Sequence, residues 1–150
     1  MMVRPEAALA TILLVNDERI LRTLIAAGLR RVGYSVLEAA GLRRAVQLAS
    51  RRQIDLLITE LALPGGDGLE LASRIRETCP EAAVLFLARS PHPRPLERRA
   101  RRNGYTVIRE PFDAAGLLGE VAARVPPPSS LRKPPSSKTA ERPNAARRSR

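Results

Sequence analysis

Four apolar runs in this 150-residue chain end on polar or charged residues that could do chemistry. Thr11-Ile12-Leu13-Leu14-Val15 stops at Asn16-Asp17-Glu18. Ile54 to Thr59 stops at Glu60, ahead of Pro64 and the glycines Gly65, Gly66 and Gly68. Ala83 to Ala88 stops at Arg89, and Tyr105 to Ile108 stops at Arg109-Glu110-Pro111-Phe112. A strand that hands a carboxylate to a loop, ahead of a helix, is how parallel α/β sheets build sites, outside the carboxyl ends of the strands. Asp17, Glu60 and Glu110 are therefore expected in one crevice. Carboxylates held together invite a hard cation, Mg²⁺ first, or push at least one of the group to a raised pKa.

The elements that must position these residues follow from the pattern. The run 11–15, with no polar alternation, fits a strand buried on both faces. Leu21, Leu24, Ile25, Gly28 and Val32 recur at helical spacing, and Gly33 closes that helix. Residues 34–37 make a second strand. Leu42, Ala45, Val46 and Ala49 mark a second helix with Arg43, Arg44, Arg51 and Arg52 on its other face. After the third strand, Asp67 with Glu70 three residues on reads as a capped helix start, carried on by Leu71, Ala72 and Ile75. Residues 83–88 are the fourth strand. Three prolines in 91–95 exclude a regular helix there, and a fourth helix is expected from Pro95 to Asn103, with Leu96 and Ala100 its apolar content. A fifth strand over 105–108 precedes a last helix capped by Asp113, with Leu117, Leu118, Val121 and Val125 as its stripe. Strand and helix alternate five times. Short right-handed crossovers then give a doubly wound five-stranded parallel sheet with helices on both faces.

The bulk numbers bound the function class. The chain is long enough for one domain with a real core. The lone Cys79 gives no disulfide framework or metal cluster and reads as a buried, inert thiol. No secretory signal is visible and no apolar run is long enough to cross a bilayer, so a soluble, cytoplasmic protein with no membrane partner is expected. Trp is absent and aromatics make up 3% of the chain, which argues against stacking platforms for single-stranded nucleic acid. The net charge of +11 is unevenly placed. Residues 1–88 carry 11 basic and 10 acidic side chains, whereas 89–102 carry six Arg against one Glu and 126–150 seven basic groups against one acid. A near-neutral core with one basic segment and one basic tail suggests attachment to something anionic. Residues 1–10 read as a lead-in, 11–125 as the folded domain, and 126–150 as a disordered basic Pro/Ser-rich tail.

With the strand ends in place, the chain resembles a response-regulator receiver domain of bacterial two-component signalling, over roughly residues 10–125. The resemblance rests on Ile12 to Glu18, on Asp55 to Gly68, and on Arg109-Glu110-Pro111-Phe112, in order and at receiver-like separations. It implies a receiver/flavodoxin-like sheet of strand order 2-1-3-4-5. It also implies a pocket in which two acids hold Mg²⁺, an Asp takes a phosphoryl group from a histidine kinase, a hydroxyl bonds that group and a Lys pairs with it. Metal and cation would neutralise the equatorial oxygens while an in-line carboxylate attacks.

Carried over position by position, the pattern departs at four of the five. The acidic pair is Asn16-Asp17, so the acidic, metal-holding pocket reduces to Asn16, Asp17 and Glu60. Glu60 stands at the phosphoacceptor position, Ala88 at the switch hydroxyl and Glu110 at the family's Lys. Mg²⁺ is thus a weakly supported cofactor. Glu60 then has three readings: a built-in mimic of a phosphorylated Asp, a carboxylate left in a pocket without its chemistry, or a genuine acceptor. Glu110 either pairs with a nearby Arg or joins Asp17 and Glu60 around a cation. Arg89 is a candidate for the missing positive charge, whereas His92, in the Pro-rich loop, reads as solvated. The family's switch aromatic falls at Val107, with Tyr105 two residues ahead.

The expected function is a phosphorylation-independent, non-enzymatic interaction module in a two-component phosphorelay, whose partner is a histidine kinase or an output protein. The alternatives are an active phosphoacceptor using Glu60, and a protein that associates with nucleic acid non-specifically through its basic tail and Arg-rich fourth helix. In receivers the surface of helix four, strand five and helix five commonly forms the partner face. Arg98, Arg99, Arg101 and Arg102 would make that face favour an acidic partner or nucleic acid.

Overall fold

Seven strands and five helices follow one another in a computed structural model that describes residues 9–89 and 94–128. The strands are β1 (Thr11–Val15), β2 (Ser35–Ala39), β3 (Leu56–Glu60), β4 (Ala62–Leu63), β5 (Gly66–Asp67), β6 (Ala83–Ala88) and β7 (Thr106–Arg109). The helices are α1 (Arg19–Val32), α2 (Leu42–Ala49), α3 (Gly68–Thr78), α4 (Arg94–Arg102) and α5 (Ala114–Arg124). Most of the lead-in, the whole of 129–150 and His92 lie outside the described residues. Among the described residues, no helix is long and apolar enough to cross a membrane.

Five strands form one parallel sheet in the order β2-β1-β3-β6-β7. This is the doubly wound order expected from the sequence once β4 and β5 are set aside. Those two strands were not expected. They form a small antiparallel hairpin inside the loop after β3, pairing Ala62 with Asp67 and Leu63 with Gly66. Gly65 makes its turn possible at φ +88°, where a Cβ would be strained.

Side chains alternate across the sheet with period two and fill two cores. Leu13, Val15, Leu57, Val84 and Phe86 point to the side covered by α2, α3 and α4. Ile12, Leu14, Leu56, Ile58, Leu85 and Leu87 point to the side covered by α1 and α5. Phe86, fully buried, meets Tyr105 edge to face with ring centroids 5.1 Å apart, an arrangement worth about 1 kcal/mol beyond its area.

The helix starts follow the caps read in the sequence. Asp67 accepts from the Glu70 N–H at 2.8 Å and Asp113 from the Gly116 N–H at 2.7 Å, each cap contributing about 1 kcal/mol. Gly68 opens α3 against the sheet: a Cβ there would lie 2.6 Å from the Glu60 carbonyl oxygen and 3.0 Å from the Phe86 ring. Its N–H bonds the Leu61 carbonyl at 2.7 Å, so the end of β3 and the start of α3 are fixed to each other.

Two details differ from the sequence reading. The buried face of α1 is Ile25, Ala26 and Leu29, whereas Leu24 is 65% and Ile20 72% exposed. The apolar sector of α1 is wider than the sheet and α5 can cover, and the uncovered flank borders a cleft with Phe112 and Leu118. β3 begins at Leu56 and takes in Glu60, which pairs with Leu87 of β6. Ile54, outside the strand, is buried and donates its N–H to the Cys79 sulfur at 3.5 Å. Cys79 is a buried free thiol, as its solitary place in the sequence implied.

Candidate functional site

The period-two alternation decides which residues meet at the carboxyl ends of the strands. Asn16 continues the phase of Ile12 and Leu14, Glu60 that of Leu56 and Ile58, and Arg89 that of Leu85 and Leu87. Glu110 continues the phase of Ile108, which packs against the same core. Four neighbouring strands therefore deliver four polar side chains to one place.

Asn16 is fully buried and satisfied on all sides. Its Nδ2 donates to Glu60 Oε2 at 2.9 Å, its Oδ1 accepts from the Glu18 N–H at 2.8 Å, and its carbonyl accepts from Arg22 Nη1 at 2.8 Å. Glu60, 2% exposed, is the innermost acid. Arg89 reaches back over it. The Arg89 Nη2 donates to Asp17 Oδ1 at 2.6 Å, and its Nε lies 3.6 Å from Glu60 Oε1. One guanidinium thus joins the acid after β1 to the acid ending β3.

Glu110 approaches from the far side. Its N–H is bound by the Ala88 carbonyl at 2.8 Å, and the peptide bond to Pro111 is cis. Its Oε2 is buried and has no hydrogen-bond partner among the described residues. The Glu60 carboxyl is its neighbour, and two carboxylates side by side cannot both ionise without repulsion. Burial pushes the Glu60 pKa up, the hydrogen bond and charge of Glu110 push it further, and Arg89 opposes both; the result is about 8. Burial and the neighbouring carboxylate thus favour the protonated form of Glu60.

Asp17 and Glu60 meet on one guanidinium, and Glu110 stands beside Glu60. The cation among them is Arg89, a residue the sequence could offer only as a candidate. Asp17 and Glu60, the two acids expected to hold a metal, are both engaged by its guanidinium. Among the described residues no group of three or more His, Cys, Asp or Glu side chains is arranged to hold a metal ion. Ala88 is fully buried at the end of β6, in register with Arg109, and brings no hydroxyl to the crevice. Thr59 has one, but it is buried and donates to the Glu60 carbonyl at 2.9 Å.

Besides Arg94, exposed at its start, α4 carries four arginines that divide into two sets. Arg101, half exposed, is engaged by the fold: it pairs with Glu97 at 2.9 Å and donates to the Val107 carbonyl at 3.2 Å, while Arg109 holds the other oxygen of Glu97. Arg98, Arg99 and Arg102 are exposed and make no ion pair among the described residues. The face expected from four arginines is thus built by three. Val107 is buried beneath, and Tyr105 borders a groove between α3 and α4.

Comparison with known proteins agrees with this fold. Residues 12–122 match the model of the response regulator receiver domain family. The DNA-binding transcriptional regulator NtrC of Azospirillum brasilense is 27% identical over 125 residues, 81% of this chain. The phosphate regulon transcriptional regulatory protein PhoB of Pseudomonas aeruginosa is 41% identical over 66 residues, 44% of this chain. The chain spans 26% and 29% of the length of those two relatives. Among solved structures, the signal receiver domain of an HD domain-containing protein from Pseudomonas fluorescens Pf-5 superposes with a TM-score of 0.71 at 27% identity, covering 79% of this chain and 95% of that one.

Proposed function

This chain belongs to the response-regulator receiver family, and on that premise we propose that it works as a protein-interaction module of two-component signalling whose pocket carries no phosphoryl group. Receiver domains are signalling modules that meet histidine kinases and output domains, and they commonly bind Mg²⁺ at the phosphorylation site. The proposal concerns what this particular pocket does with that inheritance.

One observation carries the reading: Arg89 bridges Asp17 and Glu60. Phosphoryl transfer to a carboxylate requires that carboxylate to be ionised, open to in-line attack and close to a cation that neutralises the incoming oxygens. Glu60 fails the first two as arranged, and the cation beside it, Arg89, is already bound to Asp17. Its Oε2 holds the Asn16 amide, its Oε1 faces Arg89, and its proton is kept by burial and by Glu110. Ala88 and Glu110 supply neither the hydroxyl nor the positive charge that a phosphoryl group would need.

The same arrangement does not fit a divalent ion. The oxygens of Asp17 and Glu60 are turned to a side-chain cation, and Mg²⁺ would have to displace Arg89 from both. A neutral Glu60 is also a poor charge mimic of a phosphorylated Asp. The pocket is best read as internally neutralised, holding the ends of β1, β3 and β6 together by charge and hydrogen bonds.

The test is intact mass after incubation with acetyl phosphate and Mg²⁺. The natural chain is expected to stay unmodified. A variant with Asn16→Asp, Glu60→Asp, Ala88→Thr, Arg89→Ala and Glu110→Lys is expected to gain one phosphoryl group. An adduct on the natural chain that disappears in Glu60→Gln would reverse the proposal.

A further inference from the structure

We propose that α4 presents a sequence-independent binding surface for the phosphate backbone of duplex nucleic acid, through Arg98, Arg99 and Arg102. The proposal is independent of the pocket and holds whether or not Glu60 takes a phosphoryl group.

The geometry sorts the helix into three sides. Ala100 is fully buried and Leu96 packs against the core, so these two define the inward face. Glu97 and Arg101 lie on one flank, engaged with Arg109 and the Val107 carbonyl. At 100° per residue, Arg98 and Arg102 project opposite to Ala100, one turn apart on the same outward face. Arg99 lies on the remaining flank, where it lines the groove against α3. That groove has a volume of about 470 Å³, and Arg76 stands on its far wall. Arg76 is exposed and, like the three arginines of the ridge, makes no ion pair among the described residues.

Asp67 and Glu70 also line the groove; Glu70 is paired with Arg74 at 3.1 Å, and Asp67, which caps α3, keeps its negative charge. Against that single unpaired acid stand Arg76, Arg98, Arg99 and Arg102, so positive charge is in excess on this side. It lies on a strip that runs from the outward face of α4 across the groove to the end of α3.

Chemistry selects the partner. A protein interface of useful affinity is built on buried apolar or aromatic anchors, with charges mostly at the rim. Apart from the exposed Pro95, the outward face of α4 has no apolar side chain, because Leu96 and Ala100 are both turned inward. Phosphate contacts need no such anchor; several arginines in a row suffice, through release of condensed counterions. The one aromatic ring at the groove, Tyr105, is packed edge-on against Phe86. No ring platform is offered for stacking unpaired bases, which favours duplex over single strand and backbone over base contact.

The experiment measures binding of the full chain to a fluorescent mixed-sequence 30-base-pair duplex across a range of monovalent salt. Because residues 126–150 add seven basic groups of their own, every measurement is repeated in a full-length chain with those seven changed to Gln. The expected result in that background is binding at low salt. Arg98→Gln, Arg99→Gln and Arg102→Gln together should weaken it at least tenfold and make the log–log salt slope shallower by about 2 to 3. The triple Lys variant should keep the slope, since a point charge serves a phosphate. All three positions are exposed, and a melting curve checks that the variants are folded. If affinity and slope are unchanged by the Gln substitutions, or if the tail-neutral chain does not bind at 50 mM salt, the proposal fails. It fails as well if polyglutamate is held in preference to DNA, which would assign the ridge to an acidic protein.

Discussion

Arg89 and Asp17, 72 residues apart in the chain, are joined by a 2.6 Å hydrogen bond between Nη2 and Oδ1. The pair is partly open to solvent, with side-chain exposures of 36% and 40%, so its direct contribution to stability is small. Its consequence lies in what it occupies. With Arg89→Met, Asp17 and Glu60 lose their shared cation and both become free to take another. Mg²⁺ or Mn²⁺ affinity, followed by calorimetry or Mn²⁺ relaxation, should rise at least tenfold in that variant. Equal affinity in the two proteins would mean that Arg89 does not guard the pocket.

The proton on Glu60 has a pH signature. Its folded pKa of about 8 stands above the ordinary 4.5. The folded state therefore binds more protons than the unfolded chain between those two values, and stability falls as pH rises through that window. The total change is on the order of a few kcal/mol. Melting temperatures recorded from pH 5 to pH 8 should decline. In Glu60→Gln the decline should flatten, and the variant should exceed the natural chain at pH 8. The Gln amide keeps an acceptor for Asn16 and gains a donor for the buried Glu110 Oε2. A natural chain whose stability rises over that range would contradict the raised pKa of Glu60.

Gly68 has no room for a side chain. A Cβ would stand 2.6 Å from a backbone oxygen of β3, and backbone yields less readily than a flexible side-chain tip. Gly68→Ala should lower stability by about 1–3 kcal/mol in denaturant unfolding. The helix propensity of Ala works the other way by about 1 kcal/mol, so a neutral or stabilising result would show that the loop after β3 can relax.

Within α1, position decides cost more than residue type. Leu29 is fully buried and Ile20 is 72% exposed. Leu29→Ala should cost about 2–5 kcal/mol, whereas Ile20→Ser should stay within about 0.5 kcal/mol of the natural chain. The two variants, unfolded side by side in urea, separate the covered from the uncovered part of the helix. A large loss for Ile20→Ser would place it under a packing contact that the exposed flank does not show.

Most of the fold was legible because the strands are continuous apolar runs and their ends carry polar punctuation. The parallel order, the two caps at Asp67 and Asp113 and the buried Cys79 all follow from local rules. The hairpin of Ala62–Leu63 with Gly66–Asp67 was not legible, since two-residue strands leave no periodicity to read. The exposure of Leu24 escaped for a related reason: an apolar stripe gives the width of a helix face but not how much of it the neighbours cover. At the site, Asn16, Asp17, Glu60 and Glu110 were found from strand ends alone. Arg89 could have been found with them, because it shares the strand phase of Leu85 and Leu87. Sequence phase says which side of the sheet a residue takes, but not that a long arginine will fold back across two strands to reach Asp17.

A cation carried on a side chain has no concentration. A pocket that borrows its positive charge from solution fills and empties with the supply, and a chelator strips it. Arg89 is covalently present in every copy of the chain, so the positive charge between the ends of β1 and β3 does not wait on the supply of an ion. Under the function proposed above, the state of the pocket does not follow the divalent metal around it.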